Sequence, residues 1–138
     1  LDNIFWNENK EHVTKEKFDV ILDAIIKNDK WIIDGDFSRT YDIRMQNCDT
    51  IFFLDYSLDT CLKGANSRVG TKREDCPFIE NEVDEEFKEW IKNWSKDIKP
   101  VLMEKLKQYK DKNIIIFKDR DEANLYLTNA IKNEDNPT

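Results

Sequence analysis

The residue types that could do chemistry lie in Trp31-Ile32-Ile33-Asp34-Gly35-Asp36-Phe37-Ser38-Arg39-Thr40. A short run of β-formers ends on a carboxylate, turns on Asp-Gly and offers an arginine before a helix begins. Such an order suits a polyphosphate and its metal. The strand fixes the carboxylate, the glycine lets backbone pass close to a ligand, and the arginine forks onto phosphate oxygens. An ordinary β-turn-α connection accounts for the same letters. Beyond the turn, four of the five arginines (Arg39, Arg44, Arg68 and Arg73) fall in one stretch after Asp34, so a local basic pocket is conceivable.

The elements that must position these residues follow from periodicity. Thr14 is a candidate N-cap for a helix from about Lys15 to Asn28, with Phe18, Ile21, Leu22, Ile25 and Ile26 on one face. Trp31–Ile33, Thr50–Leu54 and Asn113–Phe117 are apolar without polar alternation, as in strands buried on both sides. A short helix over Thr40–Gln46 carries Arg44. Ser57 caps a helix to about Ser67, and 68–77 is a polar loop with Gly70, Lys72 and Arg73. A helical region from Asp84 carries Phe87, Trp90, Ile91 and Trp94 as a core-type stripe. Pro100 marks a kink or a new first turn. A closing helix spans Asp121–Ile131, and 133–138 is read as a disordered tail. Strands separated by helices predict a three-layer α/β/α domain over 1–132 with a parallel sheet, whose ligands sit beyond the carboxyl ends of the strands. Asp34 and Asp55 occupy two such ends.

Composition narrows the function classes. The 138 residues suffice for one domain with a real core. With 22 basic against 29 acidic residues the net charge is −7, which opposes a broad nucleic-acid surface. No apolar run approaches the roughly 20 residues of a membrane-spanning helix. Cys48, Cys61 and Cys76 are odd in number and widely spaced, which speaks for a reducing, cytoplasmic setting. His12 is the only histidine, leaving little for histidine-based metal or triad chemistry.

The stretch from Trp31 to Thr40, then Arg44, then Cys48-Asp49-Thr50-Ile51-Phe52-Phe53-Leu54-Asp55, resembles the adenylate-kinase-like P-loop NTPases, that is, nucleoside monophosphate kinase-like proteins. It is most similar to the subgroup known in bacteria as DNA topology modulation proteins or adenylate kinase-related proteins. Leu1-Asp2-Asn3-Ile4-Phe5-Trp6 is similar to that subgroup's LDxxFW segment, and Lys72–Pro77 with the Trp90–Trp94 helix resembles its lid and post-lid regions. The resemblance implies phosphoryl transfer from ATP to a small acceptor with Mg²⁺. Asp34 would hold the magnesium through water, and Arg39 would grip the acceptor's phosphate. Asp2 and Arg44 would sit in the acceptor pocket, while Arg68, Lys72 and Arg73 would belong to a short lid over the phosphates. Chemistry of this kind is almost wholly positioning plus charge stabilisation.

Two departures qualify the resemblance. No GxxxxGK[ST] occurs, so the backbone cradle, its lysine and the metal-binding hydroxyl are missing, as is the strand that leads into them. In the family that strand lies between the two that end at Asp34 and Asp55. The start on Leu1 fits a chain that has lost its first unit. The place of that strand must then be filled, by direct pairing of the Trp31 and Thr50 segments or by a neighbouring subunit, as in a homodimer. Gly64 falls where relatives often carry an arginine near the nucleotide base. Two readings stand side by side: a nucleotide or small-molecule kinase of which this chain holds the acceptor and magnesium side, and a non-catalytic α/β module that keeps the fold for partner binding. Direct action on DNA is opposed by the charge.

Overall fold

A computed structural model describes residues 1–135. Local side-chain chemistry sets three helix starts. Thr14 Oγ1 accepts from the Lys17 N–H at 3.2 Å and opens α2, Lys15–Ile26. Ser57 Oγ accepts from the Thr60 N–H at 3.2 Å and opens α4, Leu58–Ser67. Asp84 accepts from the Glu86 N–H at 2.9 Å and opens α5, Glu85–Asp97. Each cap satisfies an amide that the first helical turn leaves without a partner. The other helices are α1, Asp2–Phe5; α3, Tyr41–Asn47; α6, Lys99–Gln108, with Pro100 in its first turn; and α7, Arg120–Asp135.

Thr50–Leu54 (β1) and Asn113–Phe117 (β2) pair in parallel, Thr50 against Asn113 through Leu54 against Phe117. The result is a small α/β/α arrangement around a two-stranded parallel sheet. Phe53 points into the main core with Tyr41, Met45, Leu102 and Leu106, so α3 and α6 cover that face. On the opposite face Phe52 and Phe117 meet Tyr126 of α7.

Three expectations need correction. Trp31–Ile33 is extended but forms no strand, and Ile32 is 99% exposed. A strand exists only through a neighbour's hydrogen bonds, and among the described residues no backbone ladder joins 31–33 to β1 or to any other segment. The aromatic stripe of α5 is only partly a core stripe: Trp94 packs on Phe53 at 6.0 Å between ring centroids, while Phe87 and Trp90 stack on each other and remain 39% and 42% exposed. The tail is helical through Asp135, since nothing in Asn133-Glu134-Asp135 breaks a helix; residues 136–138 lie outside the described residues. Among the described residues no helix is long and apolar enough to cross a membrane. The three cysteines are free thiols.

Candidate functional site

The turn after Ile33 is built from the backbone outward. Gly35 has φ +122°, and a Cβ there would lie 3.2 Å from the Leu1 Cβ and 3.3 Å from the Phe37 ring, so both conformation and space call for glycine. Phe37 is itself left-handed, at φ 39° and ψ 62°, an uncommon state for a bulky residue. Aromatic packing holds it there: its ring stacks on Phe18 at 5.3 Å and meets Phe5 edge-on at 5.2 Å. Ser38–Thr40 then forms one 3-10 turn leading into α3.

Arg44 lies beneath this turn. Its guanidinium donates to the Gly35 carbonyl at 2.8 Å, to the Asp36 carbonyl, and through Nε to Thr40 Oγ1 at 2.9 Å. Burial lowers its pKa, an effect opposed by nearby Tyr41, Asp36 and Asp34. The Asp36 carboxylate accepts from the Tyr41 hydroxyl and from Trp94 Nε1 at 3.4 Å, tying the turn to α3 and α5. Burial first, and that hydrogen bond second, push the Tyr41 phenol well above its ordinary range.

The other residues singled out in the sequence divide into those the fold brings together and those it does not. Asp34 ends the extended segment with its carboxylate 78% exposed, beside the Leu1 amino group. Asp2, at the start of α1, is half-buried. Its pKa is raised by burial first, then by Asp34 and Asp75, against the lowering effect of the Leu1 amino group and Arg73. Arg73 pairs with Asp75 at 3.3 Å. Asn3 donates to the Glu74 carbonyl at 2.6 Å, which fastens α1 to the 68–77 loop. Asp2, Asp34 and Arg73 therefore share one electrostatic neighbourhood. Arg39 instead turns to α2, pairing with Asp19 at 2.9 Å over the Phe18 ring. Arg68 donates to the Gly64 carbonyl at 3.2 Å, and Lys72 is exposed on the loop. Arg44 is thus spent on carbonyls beneath the turn and Arg39 on Asp19, so neither pairs with the Asp34 carboxylate.

No family model, curated protein or solved structure matches this chain. Among the described residues, no three His, Cys, Asp or Glu side chains converge as a metal cage. The donor chemistry of Asp34 and Asp2 still fits Mg²⁺, which keeps most of its water and takes one or two carboxylates together with phosphate oxygens.

Asp55, the other strand-end acid, is not an open ligand. Its side chain is 9% exposed and clasped by Lys99 at 2.9 Å and by Lys118. Burial raises its pKa, but hydrogen bonds from Lys118 and Lys99 outweigh this and hold the carboxyl below its ordinary value. A depressed folded pKa contributes stability above the unfolded value of about 3.9, and that stability is lost as pH falls through the folded value. Asp55→Asn is expected to lower stability at pH 7 by about 1–2 kcal/mol, a modest figure because solvent reaches the Lys118 end of the network. Urea midpoints of the variant and the parent should begin to converge as pH falls below about 4 and meet only below the folded pKa of Asp55. A constant gap across pH would remove the ion pairs from the account.

At this end of the sheet, sequence reasoning passed over Lys99, Lys118 and Arg120. The Arg120 guanidinium lies over the Tyr56 ring at 5.5 Å, and a Cβ on Gly64 would meet its Nη2 at 2.7 Å, so Gly64 leaves room for it. Asp36 was missed as well. The signal for it was chemical: a half-buried tryptophan and a buried tyrosine each need an acceptor.

Proposed function

We propose that this chain is the acceptor and magnesium side of a nucleoside-triphosphate-dependent phosphoryl transferase of the adenylate-kinase-like P-loop class, acting on a nucleotide or another small acceptor. The observation that carries the reading is the exposed Asp34 carboxylate on a glycine turn, with Asp2 beside it and Arg73 reaching the same neighbourhood from the 68–77 loop. In this reading Asp34 orients metal-bound water and Asp2 adds negative charge near the metal. Arg73 leaves Asp75 for a phosphate, and Arg68 and Lys72 close with it as the loop folds down. Arg44 acts indirectly, by fixing the turn that presents Asp34. Mg²⁺, when bound, supplies charge neutralisation for the transferring group. The donor side, with its GxxxxGK[ST] cradle, comes from outside this chain.

The test is calorimetry of Mg²⁺–ATP on the protein read from the genomic frame upstream of Leu1. A frame that continues into a GxxxxGK[ST], with nucleotide binding that Asp34→Asn weakens about tenfold or more, is the expected result. A frame carrying that motif whose product binds no nucleotide overturns the proposal.

One observation favours a second reading, a non-catalytic module for partner binding. Phe87 and Trp90 form a partly exposed aromatic pair, and a groove of about 290 Å³ runs past Trp90 and Trp94. A stop codon immediately upstream of Leu1 would favour this reading over the first.

A further inference from the structure

We infer that the carboxyl end of the sheet carries a site for an oligophosphate group, held by the guanidiniums of Arg68 and Arg120, both seated against Gly64. The Asp55 N–H donates to the Phe117 carbonyl at 2.8 Å and closes the ladder, so Tyr56 and Lys118 are the first residues beyond it. Parallel sheets take their ligands at that end. Here two ammonium groups, Lys99 and Lys118, already share the single carboxylate of Asp55. Arg120 lies over the Tyr56 ring at 5.5 Å, and Arg68 donates through Nε to the Gly64 carbonyl at 3.2 Å. Both guanidiniums are exposed to solvent. Both also act on one thiol: burial raises the pKa of Cys61, and Arg120 and then Arg68 oppose it.

Four cations thus gather around Asp55 in a chain of net charge −7. Among the described residues Arg39 has Asp19 and Arg73 has Asp75, but neither Arg68 nor Arg120 has a carboxylate within ion-pair distance. Three acids nearby in sequence are engaged elsewhere. Asp119 accepts from the Glu122 N–H at 2.9 Å, Glu122 accepts from the Lys118 N–H at 2.7 Å, and Asp59 pairs with Lys63 at 2.9 Å. Like charges held together repel, and an anion between them relieves the repulsion. The arginine fork matches phosphate oxygens, and cations that outnumber Asp55 by three suit a di- or triphosphate better than a singly charged carboxylate. Gly64 makes the arrangement specific. A Cβ there would meet Arg120 Nη2 at 2.7 Å, so a side chain at that position displaces the guanidinium. Every group named lies within residues 55–120, and none belongs to the Asp34 turn.

Calorimetric titration of the 138-residue chain with pyrophosphate, without Mg²⁺, should show one site of sub-millimolar affinity that weakens with added salt. Arg120→Gln should weaken it about tenfold or more. Gly64→Ala should do the same at unchanged net charge. Circular dichroism should find that variant folded, because alanine suits the interior of α4 and the displaced atom ends a flexible side chain. Lys27→Gln, at the end of α2, removes one positive charge outside the site and should leave binding unchanged. No binding, equal losses in Lys27→Gln and Arg120→Gln, or unaltered affinity in Gly64→Ala overturns the inference. A nucleoside diphosphate that binds more tightly than pyrophosphate makes a nucleotide the source of the phosphates; equal or weaker binding makes it the free anion, and either supports the site. Arg68 also enters the proposed lid, so the test turns on Arg120 and Gly64, which that reading does not use. Pyrophosphate binding that survives Asp34→Asn stands even where the upstream frame carries no GxxxxGK[ST], and its failure leaves the proposed function intact.

Discussion

Arg44→Ala is expected to lower the free energy of unfolding by about 3 kcal/mol, measured by urea denaturation. Arg44 makes three close inward hydrogen bonds: one closes on Thr40 Oγ1, and two satisfy the carbonyls of Gly35 and Asp36, with a longer fourth to the Phe37 carbonyl at 3.4 Å. A charged donor contributes roughly 1.5–3 kcal/mol per bond, but the three share one side chain and do not add in full. Truncation also leaves the carbonyls of a tight turn without a donor, and the left-handed Phe37 loses the strut behind it. Arg44→Lys should recover little, because a single ammonium cannot span three acceptors that a planar fork reaches together. Full rescue by lysine would mean that charge alone matters there. Because the turn presents Asp34, the proposed magnesium role predicts that the alanine variant loses Mg²⁺–ATP affinity along with stability.

Phe53→Ala is expected to cost about 3–4 kcal/mol in the same measurement. Phe53 is buried on the face of β1 that α3 and α6 cover, in contact with Trp94, and its removal leaves a cavity that a two-stranded sheet is poorly placed to collapse around. Val101 on α6 is largely exposed, so Val101→Ala should cost less than about 0.5–1 kcal/mol. Equal losses at the two positions would show that the core lies elsewhere. The Phe53 variant should also quench or shift Trp94 emission in the folded state.

Much of the architecture was legible because local signals and tertiary outcome agree. Thr14, Ser57 and Asp84 each precede an amphipathic run and each accept the amide hydrogen bond that the cap position demands. The uninterrupted apolar runs Thr50–Leu54 and Asn113–Phe117 became strands with the expected bounds. Trp31–Ile33 has the same composition and did not, since β-propensity expresses a fit to neighbours rather than a property of the segment. The site was legible only in outline. Spacing placed Asp34 at the end of an extended segment, next to a turn. It could not tell that Arg44 would serve carbonyls and Arg39 a carboxylate on α2, because the direction of a long side chain is decided by which acceptors the fold leaves unsatisfied. Asp36 went unremarked beside the more conspicuous Asp34, although it is the acid that joins three elements.

The aromatic cluster of Phe5, Phe18 and Phe37 and the core around Phe53 have no residue in common. α2 packs on α1 and, through Phe18 and Asp19, on the turn. The first 27 residues reach the rest of the chain through the turn and the 68–77 loop, by Phe18 on Phe37, Asp19 with Arg39 and Asn3 on the Glu74 carbonyl. A segment joined in this way is expected to exchange its amide hydrogens sooner than β1 and β2. Asp34, whose carbonyl accepts from the Leu1 amino group, stands at that junction.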